Sequence, residues 1–501
     1  MTRSSPVSQR LQSSLSPEIQ ELISIPRLQR ELVPGFPYML RASTAHLLML
    51  DACGLIDRAS VREIGRALLR MEREGADAIV PNALLEDAYF NFEARLMELA
   101  GADHGGLLHV ARSRNDLGAT MERMRARDVL LDALDHGAQL LAALAEKGHA
   151  HADTLMTGYT HLQPAQPITF GYYLVGVGNA VRRDLDRLQQ TWDRLNLCPL
   201  GAGALAGTGF RIDRHLSARL LGFDGLLTNG LDAVSSRDFA AEILAALLGA
   251  STVLSRMATD LYVYATLEFG LVDFPDSVAG TSSIMPQKKN LAFLEHMRAK
   301  PAHLLAGLTS ITMAVKGTHF SNTMDGNRES MRLAWEAMNE GVIALRLGRL
   351  AASNAQPNAA TMAASAAANF SCVTDLADLL VQRNGLSFRE AHHVVGAVVF
   401  DALKRRIPAS AIDRAMVADA MRRVAGKDLA LSESDIRDSL DPRQSVERRD
   451  LPGGPAPGQV HAMAEMLADD ARRHADWVSA KRDTLALAAD DMEERLAALT
   501  K

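Results

Sequence analysis

The chain has 501 residues, 48% of them hydrophobic and only 5% aromatic, enough for a large buried core spread over two to four domains, or one elongated domain with smaller ends. Its 54 Lys and Arg stand against 60 Asp and Glu, a formal charge of -6, so no global field draws it toward nucleic acid or an anionic membrane. An anionic substrate must therefore meet a local cationic site.

Taken in chain order, the first residues, MTRSSPVSQRLQSSLSPEIQ, are polar and lack the apolar run of a secretory signal. Beyond them, Ala and Leu abound and Val/Ile/Thr-rich segments with period-two alternation are scarce, so the chain reads as mostly helical. Five long helices are expected at about 117–150, 168–195, 237–268, 290–315 and 329–353. Residues 154–181 carry no Asp, Glu, Lys or Arg, but His161, Gln163, Pro164, Gln166 and Pro167 disqualify them as a membrane span. The helix at 237–268 repeats Phe239, Ile243, Leu247, Leu254, Met257, Leu261 and Tyr264 at helical steps and is apolar nearly all round, which predicts burial on several sides. Pro301 should kink the next one. LPGGPAPGQ at 451–459 reads as a turn-rich connection and not as helix. After it, Ala471, Val478, Leu485, Met492 and Leu499 recur every seventh residue to form an amphipathic terminal helix, packed on its own chain or on a partner. Cys53, Cys198 and Cys372 are far apart, sit among apolar neighbours and form no CxxC or Cys/His ligand spacing, so they read as reduced core thiols of a cytoplasmic protein.

The chemistry lies in the junctions between helices. GTSSIMPQKKN at 280–290 places Ser282 near Lys288, and a serine oxygen can take a proton where a nearby ammonium stabilises the developing charge. The SxxK spacing of some acyl-transferring serines is absent. ARSRNDLGAT puts Arg112, Ser113, Arg114 and Asn115 just before a helix that Asp116 would cap, an arrangement suited to a carboxylate. TGYTHLQPAQP gathers Thr160, His161 and Gln163 between prolines, where a histidine can act as acid or base. PLGAGALAGTG at 199–209 and KGTHFSNTMDGNRES at 316–330 are further polar or glycine-rich junctions that long helices bring to shared ends. No GxGxxG before a helix, P-loop or HExxH occurs, so no nucleotide, metal or organic cofactor is expected.

Together these junctions resemble the fumarase/aspartase superfamily, and most closely its argininosuccinate lyase branch. GTSSIMPQKKN is similar to the signature loop GSSxMPxKxN, with Thr281 where glycine is usual, and SRND at 113–116 and GYTHLQPAQPI at 158–168 match the two other signature regions in order. SSRDF at 235–239, PLGAGALAG at 199–207 and SVERRDLPGG at 445–454 also resemble that branch. The resemblance implies an all-α, three-domain protein with a central five-helix bundle. Its boundaries fall at 1–115 for an N-terminal helical domain, 116–368 for the bundle, and 369–501 for a C-terminal helical domain with an extra terminal helix. It also implies a homotetramer with a twenty-helix core, active sites shared between subunits, and elimination from a small succinyl-containing substrate to release fumarate. By motif position Ser282 is the base, Lys288 and Asn290 stabilise the charged carboxylate, and His161 with Glu295 helps protonate the departing amine. Ser113, Arg114, Asn115, Thr160 and Gln163 fall among the substrate contacts.

The departures concern the leaving group. Where the branch carries tyrosine, glutamine and lysine in the junction at 316–330, this chain has Asn322, Asn327 and Ser330, with Arg328 a candidate for the missing cation. The EDxH pattern becomes EDAYFNFE, with Tyr89 and Phe92 replacing histidine and asparagine; Leu291 follows Asn290 in place of proline, and the LWGGRF stretch is missing. The expectation is a carbon–nitrogen lyase for another N-substituted L-aspartate, such as an aminopolycarboxylate or a biosynthetic aspartate adduct. The alternatives are a genuine argininosuccinate lyase and a catalytically silent, crystallin-like structural protein. A fumarase-like hydratase is disfavoured by the KKN ending.

Overall fold

The computed structural model describes residues 10, 11 and 13–501; most of the polar leader lies outside them. A short turn and a π-helical turn at Gln20–Ser24 lead into α1 (Ile25–Ala52), followed by α2 (Arg58–Glu74) and α3 (Ala88–Ala100). Asp57 and Asp87 cap α2 and α3, their carboxylates accepting the amides of Ser60 and Phe90 and so satisfying donors that helix ends leave open. These helices enclose a first core around Leu40, Leu47, Ile64, Leu68 and Phe92. Phe92, which stands where the branch has asparagine, is fully buried there, so its substitution serves packing.

The centre is a bundle of five long helices: α4 (Arg114–Ala150), α5 (Phe170–Gln190), α6 (Asp238–Tyr264), α7 (Ala292–Lys316) and α8 (Ser330–Asn354). Their directions alternate. Arg237, just before α6, pairs with Glu122 near the start of α4. At the far end of α6, Tyr264 meets Tyr159, which follows the end of α4, with ring centroids 5.8 Å apart. The chain then descends along α7, and Asn322, just past it, bonds Asn115 at the start of α4. As its all-round apolarity predicts, α6 is buried on several sides, with Ile243, Leu244, Leu247, Leu254 and Leu261 each no more than 1% exposed. By length and composition it would pass for a membrane span, but half of that apolar window is buried inside the bundle. α7 runs on through Pro301 as one helix.

Two features differ from the sequence reading. TGYTHLQPAQPIT forms a hairpin, β1 (Leu155–Thr160) against β2 (Gln163–Thr169), although its prolines and glutamines give it little strand propensity. The terminal helix begins inside LPGGPAPGQ, at Pro457, because proline is preorganised for the first helical position.

A third core, around Leu376, Val394, Val398, Val417 and Met421, is built by α9 (Val373–Asn384), α10 (Phe388–Arg405) and α11 (Arg414–Ala425). The terminal helix α12 (Pro457–Thr500) then runs back along α4, and Val460, Leu467, Val478, Met492 and Leu496 bury its apolar seam. Its last turn reaches the N-terminal core, where Leu496 and Thr500 lie against Gly65. All three cysteines are free; Cys198 and Cys372 are buried, whereas Cys53 is only half-buried.

Candidate active site

Polar groups gather at opposite ends of the bundle. At the first end Ser113 caps α4, its hydroxyl accepting the Asn115 amide at 3.3 Å. Asp116, the cap expected from sequence, instead sits in the first turn and accepts the Ser113 amide at 3.0 Å. Its other oxygen accepts the amides of Gly201 and Gly203, each at 2.9 Å, so one buried carboxylate ties PLGAGALAG to the head of α4. Burial pushes this carboxyl above its ordinary range, against the pull of those amide donors. Gly203 has φ +61°, and a Cβ there would meet the Gly207 carbonyl oxygen at 2.4 Å, so the loop turns only with glycine.

From this clamp an amide chain extends. Asn115 donates to the Ala204 carbonyl at 3.0 Å and accepts from Asn322 at 2.8 Å. Asn322 accepts in turn from Asn327, which also donates to the Val234 carbonyl at 3.2 Å. Asn327 is 2% exposed and backs Asn322; Ser330 is fully buried, its hydroxyl donating to the Gly326 carbonyl at 2.6 Å. Arg328 crosses α4 at Gly118, where a Cβ would stand 2.7 Å from its Nη2, and donates to Glu122 at 3.2 Å. The second oxygen of Glu122 pairs with the buried Arg237 at 2.5 Å. Arg114 donates to Asp87 at 2.8 Å and Glu86 at 3.4 Å, its guanidinium lying over the Phe90 ring. Arg112 turns inward to Ser43 and Tyr89. The Tyr89 hydroxyl donates to Glu93 at 2.8 Å and lies 2.7 Å from His109 Nδ1, and burial pushes its pKa up to about 12.

At the second end, the Thr160–Gln163 pair closes a two-residue turn in which His161 and Leu162 both adopt left-handed backbone, at φ 55° and 56°. Asn-Gly ordinarily fills such a turn, and bulkier residues there are strained. Thr160, His161 and Gln163 are exposed at its tip, and the imidazole has no hydrogen-bond partner among the described residues. Nearby in the bundle, pairing of Gly280 with Asn290 and Thr281 with Lys289 pinches off the loop between them. Ser282 Oγ accepts the amides of Met285 at 3.0 Å and Ile284 at 3.4 Å, donors that favour a negatively charged serine oxygen. The two lysines differ: Lys289 is held by Asp273 at 3.1 Å and Asp276 at 3.2 Å, whereas the Lys288 ammonium has no partner among the described residues. Asn290 donates to the Thr281 carbonyl at 3.3 Å. Glu295 accepts from Tyr262 at 3.0 Å, a partner that sequence reasoning missed, and not from His161.

In one chain, then, Ser113, Arg114, Asn115, Asn322, Asn327 and Arg328 share one end, and Thr160, His161, Gln163, Ser282, Lys288, Asn290 and Glu295 the other. α4 alone, with 37 residues, separates them by about 55 Å at roughly 1.5 Å per residue. The first end offers guanidinium and amide donors to carboxylates, and the second offers a serine oxygen with amide support and an unpaired cation.

Comparison with known proteins identifies the family. A family model described as lyase matches residues 54–304, and one described as argininosuccinate lyase C-terminal matches residues 370–447. Argininosuccinate lyase 1 of Shouchella clausii is 39% identical over 471 residues, covering 93% of this chain and 95% of the relative. The argininosuccinate lyase of Methanosarcina mazei is 35% identical over 453 residues, covering 89% and 90%. Among solved structures, EDDS lyase in complex with formate superposes with a TM-score of 0.88 at 32% identity, covering 97% of this chain and 96% of that one. A class II fumarase from Schistosoma mansoni, at 16% identity and a TM-score of 0.66 over 82% of this chain and 91% of that one, shares the fold.

Proposed function

The chain belongs to the argininosuccinate lyase branch of the fumarase/aspartase superfamily and is a carbon–nitrogen lyase that forms fumarate, and from that premise we propose that it acts on an N-substituted L-aspartate other than argininosuccinate. The observation that carries this reading is the leaving-group end. There an amide chain, Asn115–Asn322–Asn327, and a buried Ser330 occupy the junction at 316–330, and Arg328 is committed to Glu122. The EDDS lyase likeness supports an aminopolycarboxylate such as ethylenediamine-disuccinate.

In this reading Ser282 Oγ removes the proton next to a substrate carboxylate, its own negative charge supported by the Ile284 and Met285 amides. The electron pair moves into that carboxylate, where Lys288 and Asn290 stabilise it. It then returns to form the fumarate double bond as the carbon–nitrogen bond breaks, and the departing amine is protonated with the help of His161 and Glu295. Ser113, Arg114, Asn115, Thr160 and Gln163 hold the succinyl carboxylates, and Asn327 acts through Asn322. Because the two groups lie at opposite ends of α4, each site draws on several copies, assembled as a homotetramer in the cytoplasm.

Ultraviolet detection of fumarate tests the reading, with L-argininosuccinate, ethylenediamine-disuccinate and further N-substituted aspartates in parallel. Release from a substrate other than argininosuccinate is expected, and Ser282→Ala should lower it by about 10²–10⁴-fold. Rapid Ser282-dependent release from argininosuccinate would instead make the chain a genuine argininosuccinate lyase, the second reading, which its curated relatives favour. Indifference to Ser282→Ala in every assay would leave a structural role.

A further inference from the structure

Tyr262 and Glu295 face each other across α6 and α7, at the end of the bundle that carries Ser282 and His161. Both backbones are fixed. Leu261 and Tyr264 are buried on either side of Tyr262, and Leu294 and Met297 anchor the first turn of α7 around Glu295 in the core. Only the exposed glutamate side chain is left to be ordered, at a cost in rotamer entropy. The Tyr262 hydroxyl supplies that order, donating to one Glu295 oxygen at 3.0 Å. The second oxygen has no partner among the described residues. A cation stands close by but is turned elsewhere. Arg298, three residues beyond Glu295 on the same helix, places its guanidinium carbon 5.6 Å from the centre of the Tyr262 ring, and among the described residues it forms no ion pair with Glu295. The carboxylate is thus held by a neutral donor. That phenol is pushed above its ordinary value of 10, first by its hydrogen bond to Glu295 and then by the carboxylate charge, so it remains a donor throughout the neutral range.

A carboxylate that accepts one imidazole N–H sets which ring nitrogen faces the substrate and stabilises the imidazolium form, and it can do so only when its oxygen is aimed. We propose that Tyr262 is a positioning residue for the elimination: its hydroxyl holds Glu295 so that the free oxygen receives His161 in the assembled enzyme, which points the imidazolium proton at the departing amine. As the carbon–nitrogen bond breaks, its electron pair stays on nitrogen, the imidazolium proton passes to that nitrogen, and a neutral imidazole remains. This deepens the lyase reading above and rests on it, including the role given there to His161 and Glu295. In this role Tyr262 touches neither the substrate nor His161, so its effect falls on kcat and not on KM.

Tyr262→Phe is the test, since it removes the hydroxyl and keeps the ring. Fumarate release is followed by ultraviolet absorbance from L-argininosuccinate, ethylenediamine-disuccinate and further N-substituted aspartates, using those whose turnover Ser282→Ala abolishes. Tyr262→Phe should lower kcat about three- to tenfold, with KM within about twofold of the parent value and little change in melting temperature. In a Glu295→Ala background the same substitution should cost less than about twofold, because the hydroxyl then has no carboxylate to hold. Unchanged kcat, a loss confined to KM or to melting temperature, or a loss of equal size with and without Glu295 would overturn the proposal and leave the lyase reading standing. Parental kcat in Glu295→Ala protein would do the same. Absence of Ser282-dependent fumarate from every substrate would remove the lyase reading and this proposal with it.

Discussion

His46 is 1% exposed and donates through Nε2 to the Val110 carbonyl at 2.8 Å, in the wall that supports the head of α4. Burial first, then the neighbouring Arg112 and His109 charges, lowers its pKa from 6.5 to about 3, so the folded protein keeps it neutral where the unfolded chain would protonate it. Its contribution to stability is therefore complete above pH 6.5 and lost as pH falls toward 3. Urea midpoints should decline below pH 6.5, by about 2 kcal/mol of stability at pH 5 from this group, and His46→Gln should flatten that part of the curve. Residue identities at the candidate site were readable where a motif fixed them, as with Ser282, Lys288 and Asn290. The separation of Lys288 from Lys289 was not, because it depends on Asp273 and Asp276 folding back onto the second lysine. The same holds for Tyr262 with Glu295 and Glu122 with Arg237, partners joined only when helices distant in sequence pack together.

At the scale of elements, helix periodicity carried most of the fold: the five long stretches expected from sequence correspond to α4 through α8. The hairpin escaped because its strands lack period-two alternation and the second is broken up by Gln163, Pro164, Gln166 and Pro167, and its tight turn uses His161 and Leu162 where glycine or asparagine would have signalled it. The terminal helix followed its heptad at Ala471, Val478 and Met492, with Val460, Leu467 and Leu496 adding buried positions between. Leu496 is 3% exposed and belongs to the N-terminal core, so Leu496→Ala should destabilise the protein by about 2–5 kcal/mol, read as a lower denaturant midpoint. Fumarate formation under native conditions should survive that change, since the side chain is remote from both polar ends.

Across the whole molecule, the sequence named the polar junctions but not which of them meet. That followed from the alternating directions of the bundle, which bring 113–116, 199–207 and 316–330 to one end and carry Ser282 and His161 to the other. A mixing experiment follows from this arrangement. Ser282→Ala and Arg114→Ala chains, altered at opposite ends and each much less active alone, should regain fumarate release when unfolded and refolded together, about tenfold or more above either variant. Absence of recovery would argue that one copy of the chain supplies both groups to each site.

The reach of α12 also bears on the history of each molecule as it is made. Gly65 receives Leu496 and Thr500, more than four hundred positions later in the chain, and both must be synthesised before that contact can form. At about 5–20 residues per second the first core waits roughly 20–90 s for its final piece. Through that interval its open seam is exposed to chaperones and proteases, and a chain stopped before Leu496 would never close it.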